Sequence, residues 1–185
     1  MRLSPSFLLT AALAAAVPHA AAQSTYGPEI SAEDFGQHLR ALAAGEPAGH
    51  RFGGDYARAL RASYVEYQFV RLGLRTLDAG CVGDPAARQA SLPDTGKNGA
   101  AVVYLAHWQD AAEIAGVLEI AERFTTQRPR PAHPVVFLFT GKDRDALGAC
   151  EPLASARLAI EPADLLQYDA SSLVRELSLL QRQGR

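Results

Sequence analysis

The stretch VVYLAHWQDAAEIAGVLEIAERF, residues 102–124, decides the fold class. Residues 100–106 form a continuous apolar run that ends at His107, and a helical pattern follows from Asp110 to Thr126 with Ile114, Val117, Leu118, Ala121 and Phe124 on its inner side. The proline-rich turn RPRPAHP then leads into a second apolar run, Val135 to Thr140. Two strands apolar throughout, joined by a helix, predict a parallel pair covered on both faces. The expected fold is therefore α/β, a three-layer α/β/α arrangement around a mainly parallel sheet.

Two helices are expected ahead of that sheet. In residues 31–44, Ser31 is a natural N-cap, Asp34 stands at the capping-box position, and Phe35, Leu39 and Leu42 share one face. Glycine and proline in GEPAGHRFGGDY break the pattern, and a second helix is expected from about Asp55 to Leu72. Tyr56, Leu60, Tyr64, Tyr67 and Val70 fall at helical spacing there, with Gly73 just past the end. Residues 78–99 are polar and turn-rich, which predicts a loop. Beyond Thr140 the pattern predicts a helix at about 145–156, a short strand near 164–168, and a last helix from Ser172 with Leu173, Leu177 and Leu180 inward.

The N-terminus has Arg2, an apolar stretch from Phe7 to Val17 and the small residues Ala20, Ala21 and Ala22. That is the pattern of a secretory signal peptide over residues 1–22, too short to span a bilayer. Residues 23–185 are then expected to form a single domain, with a helical part at 30–75 and a sheet part at 100–185. The expected location is the periplasm or the exterior, with no membrane span once the signal is removed. The net charge is −2 with no basic face, which makes nucleic acid a poor partner. Cys81 and Cys150 are the only cysteines, and an oxidising compartment favours a disulfide between them over two buried free thiols. Closing a loop of that length contributes about 4 kcal/mol in the chain-entropy model.

Chemistry in parallel sheets gathers beyond the strand C-termini. Three such ends offer His107, then Lys142 and Asp143, then Asp169. A histidine converging with carboxylates is the general form of a zinc site.

Several segments, taken in order over residues 33–170, resemble the secreted zinc aminopeptidases related to bacterial leucyl aminopeptidase, aminopeptidase Y and glutamate carboxypeptidase. LAAGEPAGHRFGGDYARALRASYVEYQFVRLGL resembles that family's leader pattern. YLAHWQD resembles its A-H-x-D strand, and AAEIAGVLEIAERF its D-D-N-x-S-G-x-x-x-x-L-E-x-A-R helix. FLFTGKDRDALGA resembles F-x-x-x-x-E-E-x-G-L-x-G-S, and LLQYDA resembles I-N-L-D-M. The resemblance implies a reduced zinc-exopeptidase-like fold. It places His107, Asp143 and Asp169 at metal-ligand positions, with Asp143 standing in for a glutamate.

The departures from the pattern are chemical. Ala112 occupies the position of the carboxylate that bridges two zinc ions, Lys142 occupies the position of the catalytic base, and no late histidine follows. A protonated lysine cannot take a proton from water and repels a dication. The expectation is a degenerate, non-catalytic relative without a cofactor, whose binding or scaffolding partner is unknown, a peptide or protein being the natural class. Two alternatives stay open. One is a mononuclear metallohydrolase using zinc on His107, Asp143 and Asp169 with Asp110 or Glu113 as a substitute base, and the other is a fragment of a longer metallopeptidase. Each residue also has a plain structural role available. Asp110 and Glu113 have capping-box spacing, Asp169 can cap the last helix, and His107 can bond a carboxylate or backbone group. Asp143 can pair with Lys142, Arg144 or a helix N-terminus, Trp108 can fill space, and His50 and His133 sit in turns.

Overall fold

The structure is a computed structural model, and it describes residues 29–43, 54–97, 99–142, 158–160, 162 and 165–184. The signal segment, His50, Asp143, the helix expected at 145–156 and Cys150 lie outside the described residues. The elements in order are α1 (Ala32–Ala43), α2 (Asp55–Arg71), β1 (Arg75–Leu77), β2 (Arg88–Ser91), β3 (Val102–His107), α3 (Ala111–Thr126), β4 (Val135–Thr140), β5 (Leu158–Ile160) and α4 (Ala170–Gln183). Short 3-10 turns at Gly80–Val82 and Leu165–Gln167 complete them.

The five strands form one sheet in the order β1-β2-β4-β3-β5. β3 pairs in parallel with β4 and with β5, as the strand-helix-strand reading requires. β1 with β2, and β2 with β4, are antiparallel, so the sheet is mixed rather than mainly parallel. The reason lies in the connections. The described residues of the 78–87 and 92–101 connections contain no α-helix, and a parallel partner needs a longer crossover, usually helical. The expected strand near 164–168 is also corrected. That segment contains the 3-10 turn, and the strand lies earlier, at Leu158–Ile160.

Alternation in β3 and β4 divides two cores. Val102, Tyr104, Ala106, Val135, Phe137 and Phe139 face the main core, where α3 packs on β3 and β4 and is itself flanked by α1 and α4. Val103, Leu105, Val136 and Leu138 face a smaller cluster that also takes Val82 and Ala87. Among the described residues this second face is covered by the 78–87 segment and not by a helix, so a third layer is not part of the described structure. Covered from several sides, α3 buries residues all around its circumference, including Glu119 and Glu122. At Gly116 a Cβ would come within 2.5 Å of Leu165 Cδ1 and 3.1 Å of Leu177 Cδ2, so glycine permits the close approach of α4 and the 3-10 turn.

The helix ends follow their sequence signals. Ser31 Oγ accepts from Asp34 N at 3.0 Å, which starts α1. Gly73 has φ +64°, and the bonds Gly73 N to Val70 O and Leu74 N to Phe69 O close α2 as a Schellman motif. The face of α2 is a correction, however. Ala62, Val65, Gln68 and Phe69 are buried, while Tyr56, Leu60, Tyr67 and Val70 are exposed. No cysteine among the described residues is free. The pairing of Cys81 with Cys150 stays a proposal, and two reactive thiols in a titration of unreduced protein would exclude it.

Candidate functional site

β3 delivers His107 to the C-terminal edge of the sheet, in register with Thr140 of β4. Its backbone N–H and its ring Nδ1 both lie 2.8 Å from the same oxygen, Oε2 of Glu113. Glu113 therefore pins the histidine and is not the reciprocal half of a capping box. Asp110 alone caps α3, its Oδ1 accepting from Ala112 N at 2.7 Å and Glu113 N at 3.1 Å. Asp169 caps α4 by accepting from Ser172 N at 2.8 Å, and that backbone bond holds its exposed carboxyl below the usual range. The Lys142 side chain is exposed, and Ala112 is buried in the first turn of α3.

The edge is completed by a carboxylate that carries no sequence motif. Asp84 Oδ2 accepts from Thr140 Oγ1 at 3.0 Å and Gly141 N at 2.7 Å, while Oδ1 accepts from Ala86 N at 2.9 Å. Burial pushes the Asp84 carboxyl up, but these donors outweigh it and hold it below its ordinary value. Trp108 is buried and stacks on Phe139 with ring centroids 5.9 Å apart, which is the space-filling role. A pocket of about 280 Å³ beside the α3 N-terminus is lined, among the described residues, by Asp110, Ala112, Leu165, Leu166 and Gln167, none of them a histidine. These residues do not fit the pair of zinc ions that the family resemblance implies. The bridging position holds a methyl group, Asp169 is directed to its own helix, and among the described residues no three metal-ligating side chains gather around His107, which Glu113 holds through Nδ1.

A second cluster was not singled out by motif. His38 of α1 faces Glu119 and Glu122 of α3, and all three are buried. His38 Nε2 lies 3.4 Å from Glu119 Oε1 and 3.9 Å from Glu122 Oε2. On the other side of the ring, Nδ1 lies 2.7 Å from the Tyr64 hydroxyl. The outer carboxylate oxygens are held as well. Glu119 Oε2 accepts from Ser31 N at 3.0 Å, and Glu122 Oε1 accepts from Arg71 Nη1 at 2.7 Å. The inner oxygens, Glu119 Oε1 and Glu122 Oε2, accept no hydrogen bond.

Charge is shared unevenly in this group. Burial pushes the His38 imidazole down, but the two glutamates outweigh it and hold it above its ordinary value. Burial also pushes Glu119 up, and its contacts with His38 and Ser31 do not offset that. Glu122 is pushed up by burial yet ends below its usual range because both His38 and Arg71 face it. The signal available in the sequence was LEIAE, residues 118–122, which puts two carboxylates one turn apart on a helix whose other positions are largely apolar.

No protein-family model matches the sequence. No curated protein matches it either. Among solved structures the chain is similar to the crystal structure of a candidate Zn-dependent exopeptidase from Bacteroides vulgatus. The identity is 18%, the TM-score 0.45, and the match covers 63% of this chain and 50% of that one. The chain thus spans about half the length of that neighbour, and a likeness at this level assigns neither family nor site.

Proposed function

We propose that the chain is an exported, non-catalytic relative of the zinc aminopeptidases, with a binding or scaffolding role. The observation that carries the reading is the ligand set at the strand end: Ala112, buried in the first turn of α3, offers no atom at the bridging position, and Asp169 caps its own helix. Glu113 holds the His107 ring through Nδ1 alone, but among the described residues no three metal-ligating side chains gather there. Lys142 at the base position points the same way, since a protonated lysine takes no proton from water. The binding role is supported by the apolar stripe Tyr56, Leu60, Tyr67 and Val70, which α2 turns to solvent and which suits a peptide or protein partner. The mononuclear-hydrolase reading is disfavoured because its substitute base would have to be Asp110, already an N-cap, or Glu113.

The test is hydrolysis of aminoacyl anilides by the full chain with added zinc. The expected result is no turnover above the buffer rate. Turnover that disappears in His107→Ala would overturn the proposal.

A further inference from the structure

The geometry points to a divalent metal site built from His38 Nε2, Glu119 Oε1 and Glu122 Oε2. It would take one transition ion of the zinc type and hold α1 against α3. It lies in the helical layer, and it stands apart from the strand-end residues on which the proposed function rests.

One ligand atom from each of the three residues lies within 4.8 Å of the others, and Nε2 stands 3.4 Å from Glu119 Oε1 and 3.9 Å from Glu122 Oε2. Four-coordinate zinc with nitrogen and oxygen ligands at about 2.0–2.1 Å sets neighbouring ligand atoms roughly 3.3 Å apart, so a small inward adjustment closes the site. The two inner oxygens give an independent indication. The side chains of Glu119 and Glu122 are 1% and 7% exposed, and neither inner oxygen accepts a hydrogen bond. Buried carboxylate oxygens without a donor are rare in folded proteins. A proton on Nε2 does not serve them well, because 3.9 Å is beyond hydrogen-bond reach and 3.4 Å is at its limit. A cation between them would serve both.

The outer contacts suit such a centre. With Nδ1 protonated and donating to Tyr64, Nε2 presents its lone pair inward. Ser31 N–H and the Arg71 guanidinium fix the outer oxygens of Glu119 and Glu122, which is the support that metal ligands ordinarily receive. Imidazole with two carboxylates favours zinc, manganese or iron over magnesium or calcium. Burial of every ligand makes the site structural, with no approach for a substrate.

The experiment uses the full chain freed of metal and titrated with Zn²⁺ against a chromophoric chelator, with melting followed in parallel. One equivalent should bind, chelation should lower the melting temperature, and Glu119→Gln should abolish binding. Tyr64→Phe, which removes the outer hydrogen bond to Nδ1, should weaken binding about 10- to 100-fold. His107→Ala should bind as the parent does. Should Glu119→Gln fail to fold, histidine ring nitrogen NMR of the parent decides, because Nε2 of His38 must shift on adding zinc. Absence of a bound equivalent in the parent, unchanged affinity in folded Glu119→Gln, or a zinc-dependent shift at another histidine alone would overturn the inference. Loss of zinc in His107→Ala would also place the metal at the strand end and count against the non-catalytic reading, whereas turnover without such a loss would count against that reading alone.

Discussion

The strand edge and the α1–α3 interface each hold a histidine beside carboxylates, but the two regions treat them oppositely. At the edge, Glu113 holds His107 through Nδ1 at 2.8 Å, Asp84, Asp110 and Asp169 direct oxygens to backbone N–H groups, and no three ligating side chains gather among the described residues. At the interface, Ser31, Tyr64 and Arg71 hold the outer atoms, and the inner carboxylate oxygens of Glu119 and Glu122 face His38 without a hydrogen bond. Residue type alone does not distinguish a working centre from a structural cluster. What distinguishes them is how many ligand atoms the fold brings together on one point.

The largest expected effect tests that contrast by truncation. In metal-free protein His38→Ala removes the positive partner between two buried carboxylates, which typically costs about 3–5 kcal/mol. His107→Ala removes one hydrogen bond to a half-buried carboxylate, while the backbone N–H of residue 107 still reaches Glu113, and should cost about 1.5–3 kcal/mol. Urea unfolding of both variants measures the difference. A larger loss for His107→Ala would reverse the comparison.

The pH dependence of metal-free protein sharpens it next. His38 has a raised pKa, so its contribution is full below the ordinary imidazole value of 6.5 and is lost as pH rises through the folded value. Glu119 is raised too, and its ionisation in the folded state subtracts stability as pH climbs past the ordinary carboxylate range. Glu122 is depressed and acts at the other end, stabilising above the usual 4.5 and losing that contribution as pH falls through its lowered value. Stability should therefore peak under mildly acidic conditions and decline from neutral to alkaline pH, and zinc should flatten the decline by replacing the proton on His38. Unfolding midpoints that rise steadily with pH would break this account.

The third effect is smaller and local. Asp110→Ala leaves two N–H groups at the start of α3 without their acceptor and should cost about 1 kcal/mol, with zinc binding unchanged. Thermal unfolding with and without zinc separates the two quantities. A loss of metal would mean that the edge and the interface are coupled through α3.

Legibility in the sequence tracked how local each signal was. β3, α3 and β4 were readable because continuous apolar runs and a helical period need no knowledge of distant residues. β1 and β2 were not, since Arg-Thr-Leu and Arg-Gln-Ala-Ser carry little strand propensity and are placed by pairing across the sheet. α2 shows the intermediate case. Its glycine stop is local and was legible, but its inner face is chosen by its neighbours. Gln68 is buried beside Arg71, and the more apolar-looking stripe is left outside. His38 and Glu119 stand far apart in the chain, and only the packing of α1 on α3 brings them together. The strand-end motif matched a family pattern by residue type; the Asp169 cap is legible three residues ahead of Ser172, whereas the bond from Glu113 back to His107 shows in no standard spacing.

The smallest expected effect carries the sharpest question about the edge. Lys142 is exposed, its backbone N–H donates to Thr140 Oγ1 at 3.1 Å, and a substitution of the side chain should change stability by no more than about 0.5 kcal/mol. Lys142→Glu restores a carboxylate at the base position that the family resemblance assigns. If the missing base were the sole defect, the variant would gain zinc-dependent aminopeptidase turnover. It is expected to gain none, because restoring one carboxylate leaves Ala112 without a ligand atom and Asp169 turned to its own helix. Steady-state assays of the variant with saturating zinc measure this directly. Measurable turnover would mean that an offered metal gathers its own ligands at the strand end, and the distinction between the dispersed edge and the gathered interface would then fail.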